Sequence, residues 1–214
     1  MKALTLADFA ESPTEERILA AAYQCFDRRG VGKTSIEEIA RTARVSRQTV
    51  YRYFSGKDDI IDSICCREAA LINIEVRKGV SRSMDFATIL TEALFIIVRQ
   101  GLANKYLRSV LDSTTFQIKA AMNTSRIHQL NRGWWRRFME QAMGRGELAG
   151  DLDLDDVLSW LMTAQSTLQI RFRDGDMTNN EMRWFIRRFF VQPLVTPMKA
   201  DTAKPRSANH RATP

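Results

Sequence analysis

Polar and apolar positions alternate along almost the whole chain with a period near 3.6, and no run alternates apolar and polar with hairpin chemistry at its end. The pattern predicts an all-α protein. Ile18, Leu19, Ala22, Tyr23 and Phe26 form one apolar stripe behind Ser12-Pro13-Thr14-Glu15, a capping box with proline at the first helical position, and Gly30 stops the run. Thr34-Ser35-Ile36-Glu37 reads as a second capping box, opening a short helix that buries Ile36, Ile39, Ala40 and Ala43. Ser46 caps a third helix that carries Val50 and ends near Tyr53. Ser55, with Asp58 three residues on, caps a fourth that continues to Lys78, just before Gly79.

The rest of the chain predicts longer, more apolar helices: Phe86 to Leu102, Lys105 to Ile118, and Ser125 to Met143. The acidic run 151–156 suits a helix N-terminus, and Leu154, Leu158, Leu161, Gln165, Leu168 and Phe172 follow on one face until Asp174-Gly175. A last helix from Thr178 repeats Met182, Phe185, Ile186, Phe189 and Phe190, and Pro193 and Pro197 close it. No internal repeat is present. Four segments result: an N-terminal arm over 1–13, a small three-helix domain over 14–56, a larger helical domain over 57–195, and a disordered tail over 196–214.

Composition narrows the function classes. At 44% hydrophobic residues the 214-residue chain can bury a sizeable core, and the absence of a long uncharged apolar run or a signal-peptide pattern predicts a cytoplasmic protein with no membrane partner. Three cysteines cannot form a disulfide framework, and His128 and His210 lie far from them, so neither a structural metal nor a cofactor is expected. The net charge of +7 suits an acidic partner, and basic residues outnumber acidic ones across residues 14–58.

Two short helices joined by a tight turn are the helix-turn-helix arrangement, whose second helix enters the DNA major groove. Ala40 supplies the small side chain where the helices approach, while Ile36, Ile39, Val45 and Val50 supply the buried contacts. Arg47, Gln48 and Thr49 are left facing outward, with chemistry suited to guanine, adenine and the thymine methyl respectively. Ser46 is foremost a helix cap.

The stretch GVGKTSIEEIARTARVSRQTVYRYFSGKDDII resembles the DNA-binding signature of TetR-type bacterial transcriptional regulators, in register over residues 14–62. The resemblance implies that Thr34, Tyr51 and Lys57 contact backbone phosphates, and that Tyr53 belongs to the same DNA-facing set. Arg44 stands where that family usually has glycine, in a turn that often needs a positive φ, and it too can reach a phosphate. Further implications are a ligand pocket in the larger bundle, with Phe95, Trp134, Phe138 and Gln165 on inward faces, and a four-helix dimer interface that includes Leu161, Leu168, Phe185 and Phe189. The expected protein is a homodimeric transcriptional regulator, a repressor released from a palindromic double-stranded operator by a small apolar or amphipathic effector, with half-sites ~34 Å apart.

Three other readings carry less of the sequence. GVGKTS ends like a phosphate-binding P-loop, but Asp27 stands where that motif needs glycine and a helix stands where it needs a strand, which leaves an NTPase remote. No nucleophile and base assemble, so the chain is not expected to be an enzyme. A non-regulatory DNA-binding module, or a helical protein-interaction module, is the remaining alternative.

Overall fold

The computed structural model describes residues 12–81, 83–111, 126–175 and 177–195. The arm residues 1–11, the tail 196–214 and the stretch 112–118 expected to continue a helix lie outside the described residues. Among the described residues the structure is helical, with one isolated antiparallel bridge between Leu148 and Val195. The helices are α1 (Pro13–Arg29), α2 (Ile36–Ala43), α3 (Arg47–Tyr53), α4 (Lys57–Gly79), α5 (Phe86–Ala103), α6 (Lys105–Leu111), α7 (Arg126–Gly144), α8 (Leu154–Arg171) and α9 (Asn179–Ile186), the last running on through a π turn, Arg187–Val191.

The chain divides into two compact units: Met1–Ile74 with Gly101–Asn131, and Glu75–Gln100 with Arg132–Pro214. In the first, Ile18, Leu19, Ala22 and Phe26 of α1 close over Ile39 and Ala43 of α2, Val50 of α3 and Ile60 and Ile64 of α4. This stripe-on-stripe burial is what fixes the small N-terminal helices, which are too short to be stable alone. Polar contacts tie α1 to α4 and α6: the Tyr23 hydroxyl donates to Glu68 at 2.6 Å, and the Tyr106 hydroxyl donates to Asp27. Cys25, Cys65 and Cys66 are free and buried.

In the second unit Leu90, Leu94 and Val98 of α5 are fully buried, as are Trp135, Met139, Leu158, Leu161, Leu168, Ile186 and Val191. Helix α5 is long and apolar enough to cross a bilayer by composition, yet 56% of it is buried inside the protein, as in a core helix. Arg183 of α9 pairs with Glu92 at 2.7 Å, with its guanidinium 3.6 Å from the Phe95 ring centroid.

Two helix starts differ from the expected ones by a residue. Ser35, not Thr34, caps α2, its hydroxyl accepting from the Glu38 amide at 3.2 Å. Before α4 the Ser55 amide donates to Asp59 at 2.9 Å, the role expected of Asp58. Thr178 and Glu181 do form a reciprocal capping box at α9.

Candidate nucleic-acid interface

The turn between α2 and α3 is built by backbone geometry. Arg44 adopts φ 54° and ψ 46°, alone among the described non-glycine residues in having a positive φ. The Val45 amide donates to Ala40 at 3.0 Å and the Arg44 amide to Arg41 at 3.2 Å, the paired bonds of a Schellman motif with arginine in the usual glycine place. Arg17, from α1, donates to the carbonyls of Ala43 at 2.8 Å and Arg44 at 3.3 Å. The chain then turns extended at Ser46, whose hydroxyl accepts from the Thr49 amide at 2.9 Å and pairs with the Thr49 hydroxyl at 2.8 Å.

On α3, Val50 is fully buried and fixes the helix, which leaves Arg47, Gln48, Tyr51 and Arg52 exposed. Arg47 is held on two sides: by Glu37 of α2 at 2.8 Å and by the Tyr51 hydroxyl, which accepts from it at 3.3 Å. That hydroxyl, followed by the Glu37 charge, raises the Arg47 pKa. Glu37 is lowered from the ordinary carboxylate value, chiefly by its own backbone amide and the Ser35 hydroxyl, with Arg47 adding to them. Gln48 makes no hydrogen bond, and its amide edge is open. Arg47, Gln48, Tyr51, Arg44 and Ser46 thus lie on exposed surface, as the sequence led one to expect.

Four other expected contacts are otherwise engaged. Thr34 is 2% exposed and donates its hydroxyl to the Gly30 carbonyl at 2.9 Å, which leaves it turned into the protein and unable to meet a phosphate. The Lys57 ammonium donates to the carbonyls of Val31, Gly32 and Thr34 at 3.3, 3.3 and 3.2 Å, so its three N–H groups are all engaged within the protein. Tyr53 packs at the core edge, and its phenol pairs with Ser12 and Thr14, which lower its pKa together with Arg52. Thr49 is half-buried and its hydroxyl is taken up by Ser46.

Sequence reasoning missed several participants. Arg17 reaches its carbonyls from 26 residues away, and nothing local signals it. Glu37, read only as a capping-box acid, is the partner of Arg47. Lys33 and Arg41 are exposed and form no ion pair among the described residues, whereas Arg28 and Arg29 are both spent on the buried Glu38.

In the second unit, Phe95 is buried beneath Arg183, and half-buried Trp134 stacks on Phe138 with centroids 6.1 Å apart. The Gln165 Oε1 is buried with no hydrogen-bond partner. Leu161 and Leu168, expected at a subunit interface, are both 0% exposed: they pack within their own unit and offer nothing to a partner. Phe185 is half-buried and Phe189 half-exposed, in a ring cluster with Trp184 and Phe190.

Residues 18–64 match the family model for bacterial regulatory proteins of the tetR family. The chain is 28% identical over 145 residues to YdeS, an uncharacterised HTH-type transcriptional regulator of Bacillus subtilis, with 66% of this chain and 71% of that protein covered. It is 46% identical over 63 residues to the HTH-type transcriptional repressor BepR of Brucella suis, spanning 29% of each. The RolR structure with its ligand resorcinol superposes with a TM-score of 0.67 at 19% identity, covering 84% of this chain and 89% of that one, which shows a shared fold. With the helix-turn-helix signature matched in sequence and the helical fold shared over the rest, the chain belongs to the tetR family of bacterial regulatory proteins.

Proposed function

We propose that the protein is a cytoplasmic homodimer that binds a palindromic operator through α3, acts as a repressor without catalysing a reaction, and is released by a small apolar or amphipathic effector. The observation that carries the DNA-binding part is α3 itself: one fully buried residue, Val50, anchors a helix whose Arg47, Gln48 and Tyr51 are exposed. Arginine suits guanine O6 and N7, and glutamine suits adenine N6 and N7. Exposed Lys33, Arg41 and Arg44 supply charge for phosphates without first giving up an ion pair.

Subunit pairing is supported by an exposed stripe on α8, Trp160, Thr163, Thr167 and Ile170, spaced three and four residues apart. Trp160 stacks on Phe190 at 5.6 Å, so the stripe continues into the exposed aromatics of the last helix. Ile170, 73% exposed, and Phe189, 50% exposed, are apolar surface that a second copy would cover. The effector reading rests on the aromatic group of Trp134 and Phe138 and on the unmatched Gln165 oxygen, which suit a flat apolar molecule bearing one donor. Release requires that the effector bind one conformation better than the other.

Selecting fragments bound from the source genome, then measuring their affinity with and without compounds handled by the neighbouring gene products, tests this reading. Failure to enrich any two-fold sequence would sink it.

A further inference from the structure

We propose that Lys57 serves DNA binding as a positioning residue, whose ammonium holds the start of α2 in place and touches no phosphate. The proposal rests on the DNA-binding reading above and goes beyond it.

Lys57 is half-buried at the first position of α4. Its three carbonyl partners all belong to the turn between α1 and α2. That turn has little else to hold it. It leaves α1 at Gly30 with φ 80°, its amide bond from Thr34 to the Val31 carbonyl is long at 3.4 Å, and the Thr34 hydroxyl ties back to Gly30. Carbonyls with no helix or sheet partner need donors, and a lysine ammonium supplies three in a compact tetrahedral head.

The turn delivers Ser35, the exposed cap of α2, and the first turn of α2 carries Glu37, which holds Arg47 at 2.8 Å. A shift of the turn therefore moves both the helix start that can face a phosphate and the carboxylate that aims the arginine. To reach a phosphate itself, Lys57 would have to surrender these carbonyls.

Two variants of the full chain separate the roles. Lys57→Met removes charge and donors; Lys57→Arg keeps the charge but replaces the tetrahedral head with a planar fork that does not fit three carbonyls. Operator Kd is measured across a salt series at a temperature where each variant is fully folded, and amide exchange is followed in the free protein. Lys57→Met should exchange faster at residues 31–35 with the rest unchanged. Both variants should bind about tenfold more weakly. The slope of log K against log salt should stay that of the unaltered protein.

A slope flattened by about 0.9 in Lys57→Met, the signature of one lost phosphate contact, overturns the proposal. So does unchanged exchange at residues 31–35. Full affinity in Lys57→Arg, or in folded Lys57→Met, overturns it as well, because a purely stabilising residue would leave the Kd of folded protein where it was. Exchange is read without DNA, so it tests the cage alone, whereas absence of operator binding by the unaltered protein overturns the DNA-binding reading and the proposal with it.

Discussion

Arg17 donates to the carbonyl oxygen of Arg44 at 3.3 Å, and so braces from α1 the one described non-glycine residue whose backbone is left-handed. A side chain in that region costs roughly 1 kcal/mol or more, and glycine adopts it freely. Arg44→Gly should therefore raise stability by about 0.5 to 1 kcal/mol, the gain being trimmed by the entropy of glycine in the unfolded chain. Thermal unfolding checks it. If the arginine also meets a phosphate, the same variant binds DNA more weakly with a shallower salt slope; a variant both less stable and unchanged in DNA binding contradicts both halves.

Arg47 and Gln48 divide the reading of bases, and their variants should behave unlike those of the phosphate set. Arg47→Ala or Gln48→Ala should cost about 1 to 3 kcal/mol on the selected operator and relax discrimination at one base pair each. Glu37→Gln frees Arg47 from its ion pair and removes a negative charge near the DNA, so it should tighten binding to unrelated sequence. Competition binding at fixed salt reads all three; equal losses on operator and unrelated DNA would remove α3 from the base-reading role.

How far the sequence carried is clearest at positions side by side. Helix count and the packing of Val50 and Ile39 follow from periodicity, which is a local property and survives into the fold. The cap of α2 does not: Thr34 and Ser35 are equivalent as capping residues, and the choice is made by a bond from Thr34 to Gly30 that depends on the turn as a whole. Lys57 and Arg17 fail for the same reason at longer range, since each meets carbonyls about 25 residues away. The α8 stripe of Leu161 and Leu168 was legible as buried, but a stripe does not say whether its own unit or a second copy covers it.

That ambiguity yields a contrast. Trp160→Glu and Phe189→Glu place charges on exposed surface and should shift sedimentation toward monomer with the fold retained. Leu161→Ala removes packing from a fully buried site and should cost about 2 to 5 kcal/mol of stability instead. If the exposed changes unfold the protein while Leu161→Ala merely dissociates it, the assignment is reversed.

Burial keeps the α4 thiols protonated, pushing Cys66 up to about 12 from an ordinary 9.0 and raising Cys65 as well. A raised folded-state value means that the folded chain holds protons the unfolded chain has released. The associated stability is present in full below the unfolded value and is lost as pH climbs from 9.0 toward 12. Each such thiol steepens the fall by up to about 1.4 kcal/mol per pH unit in that window. Tyr23 and Tyr106, raised mainly by burial, add to it at higher pH. Denaturant unfolding across this range should show a smaller loss in the Cys65→Ala, Cys66→Ala variant; an identical loss would remove the thiols from the account.

Gln165 is the polar member of an otherwise apolar face, and its buried oxygen finds no donor in the protein. Leaving such a group unmatched costs about 1 to 3 kcal/mol, which a protein selected for stability alone would shed by carrying methionine there. Gln165→Met should therefore stabilise the effector-free protein by roughly that amount, leaving operator affinity unchanged, because α3 and its supports are untouched. An effector that donates to the oxygen recovers that cost on binding, so the variant should lose effector affinity and with it operator release. The two measurements bear on different claims. Loss of stability in Gln165→Met would mean that the oxygen is satisfied in solution, whereas a gain in stability with full retention of effector response would mean that the ligand lies elsewhere.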